Sequence, residues 1–148
     1  MKYKLLVLLV AAVVMSACSG TPRTALPTPN IQIGDVGMSM AQLDPADRSA
    51  PILVTLTNTG GTAVGQLIGA QTPIVTSNNV VAATQLRNGT NVVPSIDIPI
   101  NGTVQFTPDG YHITVISLPP GLKAGDTFPL TLAFSGGDNR IVTVVVRP

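Results

Sequence analysis

The chain has 148 residues, enough for one domain of ordinary size, and carries a formal net charge of +1 with only 10% charged residues. It has no basic patch, which argues against nucleic acid as a partner. With one histidine, seven acidic residues and no nucleophile or phosphate-cradling glycine motif, it offers little for acid–base or covalent chemistry, and an enzyme is not expected. Val, Ile, Thr, Gly and Pro dominate, and there is no tryptophan, a composition that favours short strands joined by tight turns.

The N-terminus reads as an export signal over residues 1–17. Lys2 and Lys4 precede an apolar run, residues 5–15, that is too short to span a bilayer comfortably, and small residues follow at Ser16, Ala17 and Cys18. Met15-Ser16-Ala17-Cys18 resembles the bacterial lipobox, with methionine where leucine is usual. That resemblance implies that Cys18 is acylated and becomes the first residue of the mature chain. The alternative is ordinary cleavage after Ala17, leaving a free thiol. Cys18 is the only cysteine, so the mature domain has no disulfide of its own; a lone exposed thiol would be a liability in an oxidising compartment, whereas an acylated one is not. Two or three acyl chains on one residue anchor durably where one chain binds reversibly. The expected location is extracytoplasmic, lipid-anchored to a bacterial membrane, in the periplasm or on the cell surface.

Residues 18–30 are the cysteine followed by SGTPRTALPTPN (residues 19–30), which is rich in Pro and Thr and without an apolar face. They read as a tether that reaches about 35 Å at ~3 Å per residue. The domain proper then spans residues 31–148. Its first strand starts at Ile31 and Ile33 and runs on towards Met38 and Met40. Asp44-Pro45-Ala46-Asp47 is a loop. Residues 51–58, PILVTLTN, form a strand with Ile52, Val54 and Leu56 on one face, closed by Thr59-Gly60-Gly61. Residues 64–70 are the next strand, ended by Pro73. Two more candidates cover residues 80–86 and 92–98, separated by Arg87-Asn88-Gly89-Thr90, in which Asn-Gly is a strong hairpin signal. Asn101-Gly102 turns the chain into residues 103–106.

Residues 106–134, FTPDGYHITVISLPPGLKAGDTFPLTLAF, are the most patterned part of the chain. Pro108-Asp109-Gly110 is a turn. Residues 111–118 alternate as a strand, with His112, Thr114, Ile116 and Leu118 on one face, and residues 127–134 place Phe128, Leu130, Leu132 and Phe134 on another. A last strand covers residues 141–146. No segment offers ten residues at helical spacing, and some eight strands with polar turns imply a β-sandwich or barrel. The sequons at Asn88 and Asn101 read as turns rather than glycosylation sites.

The run Pro108-Asp109-Gly110-Tyr111-His112, the loop residues Leu122 to Asp126 and the strand FPLTLAF closely resemble the C-terminal part of the PCu(A)C family of bacterial extracytoplasmic copper chaperones. The strand PILVTLTN followed by Thr59-Gly60 and the strand VGQLIGA are similar to that family as well. The resemblance covers nearly all of residues 31–148 and implies an all-β, cupredoxin-like Greek-key β-sandwich, Cu(I) as cofactor and a copper-accepting or other envelope protein as partner.

Family members hold Cu(I) with two His and two Met, one pair as H-x-M on the strand after the PGGY-like turn. His112 matches the histidine, and Thr114 stands at the methionine position. The upstream His and Met would fall in residues 78–90, NNVVAATQLRNGT, which contain neither. Thioether sulfur suits Cu(I), a hydroxyl does not, and one imidazole does not make a selective site. Met38 and Met40 offer two thioethers at i, i+2 that would serve only if they lay near His112; as ordinary side chains they are core or rim packing. His112 is either a metal ligand or a strand histidine held for packing and hydrogen bonding. The sequence therefore leaves two functions open: a copper chaperone or copper-handling protein, and a metal-free interaction or structural module of the envelope.

Overall fold

The computed structural model describes residues 28–76 and 79–148. The readings placed on residues 1–17 and on Cys18 lie outside these, as does most of the tether. The described chain is all β apart from one 3-10 turn. Ten strands follow one another: β1 (Ile31–Ser39), β2 (Ala50–Asn58), β3 (Gly65–Gln71), β4 (Ala83–Asn88), β5 (Asn91–Val92), β6 (Ile96–Ile98), β7 (Thr103–Gln105), β8 (Tyr111–Ile116), β9 (Thr127–Phe134) and β10 (Asn139–Arg147). They form one curled sheet of order β5-β4-β8-β2-β1-β10-β9-β3-β6, with β7 also paired to β2. All pairings are antiparallel except β1 with β10. The expected cupredoxin-like all-β architecture is what the chain adopts.

The curl has a direct cause. One strand was expected over residues 92–98, but Pro94 lacks the N–H a ladder needs, and the run divides into β5 and β6. These two strands are the opposite ends of the sheet, and only residues 93–95 join them. Two edges tethered so closely force the sheet to roll. Thr84 Oγ1, donating to the Ala70 carbonyl, ties β4 across to β3 on the far side.

Inside the roll, strict alternation drives burial. In β2, Ala50, Ile52, Val54 and Leu56 are buried while the residues between them are half-buried, and in β9 Phe128, Leu130, Leu132 and Phe134 all turn inward. In β1 a bulge at Gly34-Asp35 shifts the register, so that Val36 and Met38 follow Ile31 into the core. Full burial of each such side chain contributes about 1.5–3 kcal/mol.

Polar corners hold the ends. Asn58 is fully buried at the end of β2; its amide donates to the carbonyls of Ala63 at 2.8 Å and Ile98 at 3.3 Å, and its Oδ1 accepts from Gly60 N–H at 3.0 Å. Gly60 admits no side chain there, because a Cβ would lie 2.8 Å from the Asn30 backbone nitrogen.

The alternation expected for residues 111–118 breaks at its end. Ser117 takes a φ of 64°, the strand stops at Ile116, and Leu118 turns into the core with Ile113 and Val115 instead of following His112 and Thr114. Arg48 secures this corner by donating to the carbonyls of Leu118 and Pro119 at 2.6 and 2.7 Å.

Candidate functional site

Strand β8 lies between β4 and β2 and has two different faces. Ile113 and Val115 are wholly buried in the core. His112 and Thr114 point the other way, onto the floor of a polar cleft of about 770 Å³. The ladder fixes their neighbours: Arg87 lies opposite His112, Gln85 lies opposite Thr114 on β4, and Pro51 flanks Thr114 from β2. Directly paired residues share a face with Cβ atoms about 5 Å apart, so His112 and Thr114 sit beside a guanidinium and an amide.

The walls are turns. Residues 88–91 pack on residues 107–110 through Gly89 N–H, which donates to the Gly110 carbonyl at 2.9 Å. Gly89 has a φ of 57°, and a Cβ there would meet the Asp109 carbonyl oxygen at 3.3 Å. On the opposite wall, Asp44 accepts from Ala46 N–H at 2.8 Å and Asp47 accepts from Ser49 N–H at 2.9 Å. Hydrogen bonding from the Ser49 side chain, and then from backbone N–H groups, holds the Asp47 carboxyl below its ordinary value against some desolvation, with the Arg87 charge adding to the effect.

The His112 ring is held by Nδ1, 3.0 Å from the Gly110 carbonyl oxygen. A carbonyl only accepts, so Nδ1 is the donor in this bond, and Nε2 has no hydrogen-bond partner among the described residues. Arg87 donates from one Nη to Gln85 Oε1 at 2.8 Å, while its Nε is buried without an acceptor among the described residues.

The two methionines are placed elsewhere. Met38 pairs with Ile52, and Ile52 with Ile113, so Met38 shares the core face of β8 and is 1% exposed. Met40, in the 3-10 turn Met40–Gln42, packs against the same core. Neither lines the cleft with His112. The donor set around the imidazole is thus a hydroxyl, an amide and a guanidinium. It does not fit Cu(I), which prefers soft sulfur and nitrogen donors and is repelled by a neighbouring cation. No group of three or more His, Cys, Asp or Glu side chains placed to hold a metal occurs among the described residues.

Sequence reasoning passed over Gln85, placed Arg87 in the turn rather than in β4, and read Asp44, Asp47 and Asp109 only as turn residues. The Asn88-Gly89 signal gave the hairpin. It did not give the register of β4 on β8, a pairing of strands more than twenty residues apart.

In fold, the chain is similar to solved copper-chaperone domains. A copper-bound PCuAC domain from PmoF2 superposes with a TM-score of 0.64 at 18% identity, covering 79% of this chain and 92% of its own. The apo PCuAC domain from PmoF1 gives 0.65 at 11% identity, over 80% and 94%. Cu(I)-bound DR1885 from Deinococcus radiodurans gives 0.60 at 28% identity, over 84% and 81%. No curated protein sequence matches. The family model described as "Putative lipoprotein LpqE-like" matches residues 31–146, which is nearly the whole folded domain. The chain belongs to the LpqE-like family.

Proposed function

We propose that this is a non-enzymatic interaction module of the bacterial cell envelope, anchored to the membrane through lipid on Cys18 and built on a copper-chaperone scaffold. One observation carries the reading: the strand face that presents His112 is flanked by Arg87, Gln85 and Thr114, so a polar, charged cleft occupies the place where a soft-metal site would need sulfur. The family's lipoprotein description and the signal-like N-terminus support the anchor. A proline-rich tether of about 35 Å then lets the domain reach partners near the membrane.

Copper handling is the second reading. The Nε2 of His112, which has no hydrogen-bond partner among the described residues, and the 28% identity to Cu(I)-bound DR1885 favour it. A Cu(I) competition titration against a chromogenic chelator separates the two. The interaction module predicts no competition at about micromolar affinity or tighter. Stoichiometric capture that is lost in His112→Ala would establish copper handling instead.

A further inference from the structure

We propose that the end of the roll where the tether enters, marked by Val64 and Ile100, rests on the lipid surface to which the chain is anchored; this inference rests on the lipid-anchor part of the proposed function. The described chain enters at Thr28, and Asn30 is fixed at this end. Its carbonyl accepts from Thr59 N–H at 2.8 Å, and its backbone nitrogen lies against Gly60. Asn58 gathers the surrounding loops: its amide donates to the Ala63 and Ile98 carbonyls, and its N–H donates to the Gly102 carbonyl at 2.9 Å. The antiparallel pairing of Gly65 with Ile98 keeps the two loops side by side. Val64 and Ile100 sit on them, 52% and 42% exposed.

Charge, reach and concentration together name the occupant. Residues 58–65 and 98–103 contain no Asp, Glu, Lys or Arg, and the charged groups next to them are engaged: Asp97 with the Gln66 amide at 2.8 Å and Asp138 with Arg140 at 2.8 Å. An anionic bilayer therefore neither repels nor grips this end, and contact rests on apolar insertion, with Thr62 and Asn101 offering hydrogen bonds to headgroups. Val75, Val80 and Val81 are exposed as well, but Val80 lies beside Asp47 and Arg48, near the start of β2, whereas the tether enters near its end. Strand β2 spans ~27 Å, so turning the valines to the membrane would use most of the ~35 Å that the tether supplies and much of its freedom. The tether-entry end meets the surface with the tether slack. A tether this short also holds the domain at about millimolar effective concentration, so two aliphatic side chains suffice where they would not for a free protein. The His112 cleft is lined by Ala50 and Pro51 at the other end of β2, so docking end-on keeps it roughly 20 Å clear of the headgroups and open to partners.

The test uses the mature, lipidated chain, isotopically labelled, in bilayer discs of phosphatidylethanolamine and phosphatidylglycerol doped with a gadolinium-chelating lipid. Loss of amide signal reports which residues approach the headgroups. Attenuation should be at least about threefold stronger at residues 59–64 and 100–102 than at residues 44–47 and 80–82. The pattern should hold between roughly 50 and 500 mM salt, because no cation carries the contact. The double variant Val64→Asp, Ile100→Asp should lose the excess at an unchanged melting temperature, whereas Val80→Asp, Val81→Asp should keep it. If the acidic variant unfolds, Val64→Thr, Ile100→Thr preserves the β-branched shape and should still reduce the excess. Uniform attenuation, attenuation centred on residues 75–82, or an excess that survives both substitutions at Val64 and Ile100 would overturn the assignment. Shifts at residues 59–64 that grow with protein concentration in neutral detergent would assign this end to a second copy of the chain instead. Mass spectrometry of the same sample separates the two layers of the argument. A chain without acyl groups on Cys18 would remove the anchor and this inference with it, whereas an acylated chain showing no excess would remove this inference alone.

Discussion

The two faces of β8 are made from neighbouring residues and follow opposite rules. Ile113 and Val115 lie in the apolar core beside Ile52 and Ala50 of β2, and any apolar residue of similar volume would satisfy that face. His112 and Thr114 are almost as deeply buried but meet Arg87 and Gln85, so what they can bind is decided by chemistry on another strand. Burial alone thus does not distinguish core from site. The neighbour across the ladder does.

The strongest way to break this comparison is to empty one position on each face. Ile113→Ala should cost about 2–5 kcal/mol in urea unfolding, through lost burial and a residual cavity. Thr114→Val should cost less than about 1 kcal/mol, because the Thr114 hydroxyl has no hydrogen-bond partner among the described residues and valine fills nearly the same space. Equal losses would show that both faces serve packing alone.

Restoring soft donors sharpens it further. In Thr114→Met combined with Arg87→Met, two thioethers join the His112 imidazole on one sheet face and the repelling cation is gone. Cu(I) affinity should rise more than about tenfold over the natural chain in the same chelator competition. An unchanged affinity would mean that cross-strand neighbours do not set the chemistry of this face.

A smaller effect is expected at the turn that builds the cleft wall. Gly89→Ala should destabilise by about 1 kcal/mol, since alanine resists the positive φ and its Cβ presses on the Asp109 carbonyl. Thermal unfolding measures the loss, and amide shifts at residues 107–110 should report the displaced turn.

The smallest effect is a pH dependence. The Asp47 carboxyl is held below its ordinary value in the folded chain, so the unfolded chain binds its proton more readily. Its contribution is fully present above about pH 4 and is lost as pH falls through the lowered folded value. Asp47→Asn should flatten that part of the acid limb of stability, the variant being less stable than the natural chain at pH 7 and the difference closing as pH falls. An unchanged acid limb would remove Asp47 from the set of hydrogen-bonded cleft carboxylates.

Alternation made β2, β9 and most of β8 readable from the residues, and Asn88-Gly89 marked a real hairpin with Gly89 at positive φ. Where the reading slipped, one local feature was responsible each time. The bulge at Gly34-Asp35 changed the register of β1, Pro94 split one expected strand into two, and the positive φ of Ser117 sent Leu118 inward. The missing methionine at Thr114 was plain in the sequence. The presence of Arg87 beside His112 was not, because it depends on a pairing between distant strands.

By itself, then, the sequence determined the all-β class, the inward faces of the long strands and the shortage of soft ligands, since these follow from period-two patterning and residue identity. Only the tertiary structure decided that Met38 lies on the face away from His112, and that three carboxylates, a guanidinium and an imidazole share one cleft. Such groupings arise from the register between strands and from how the sheet rolls, and both are set by contacts between residues far apart in the chain.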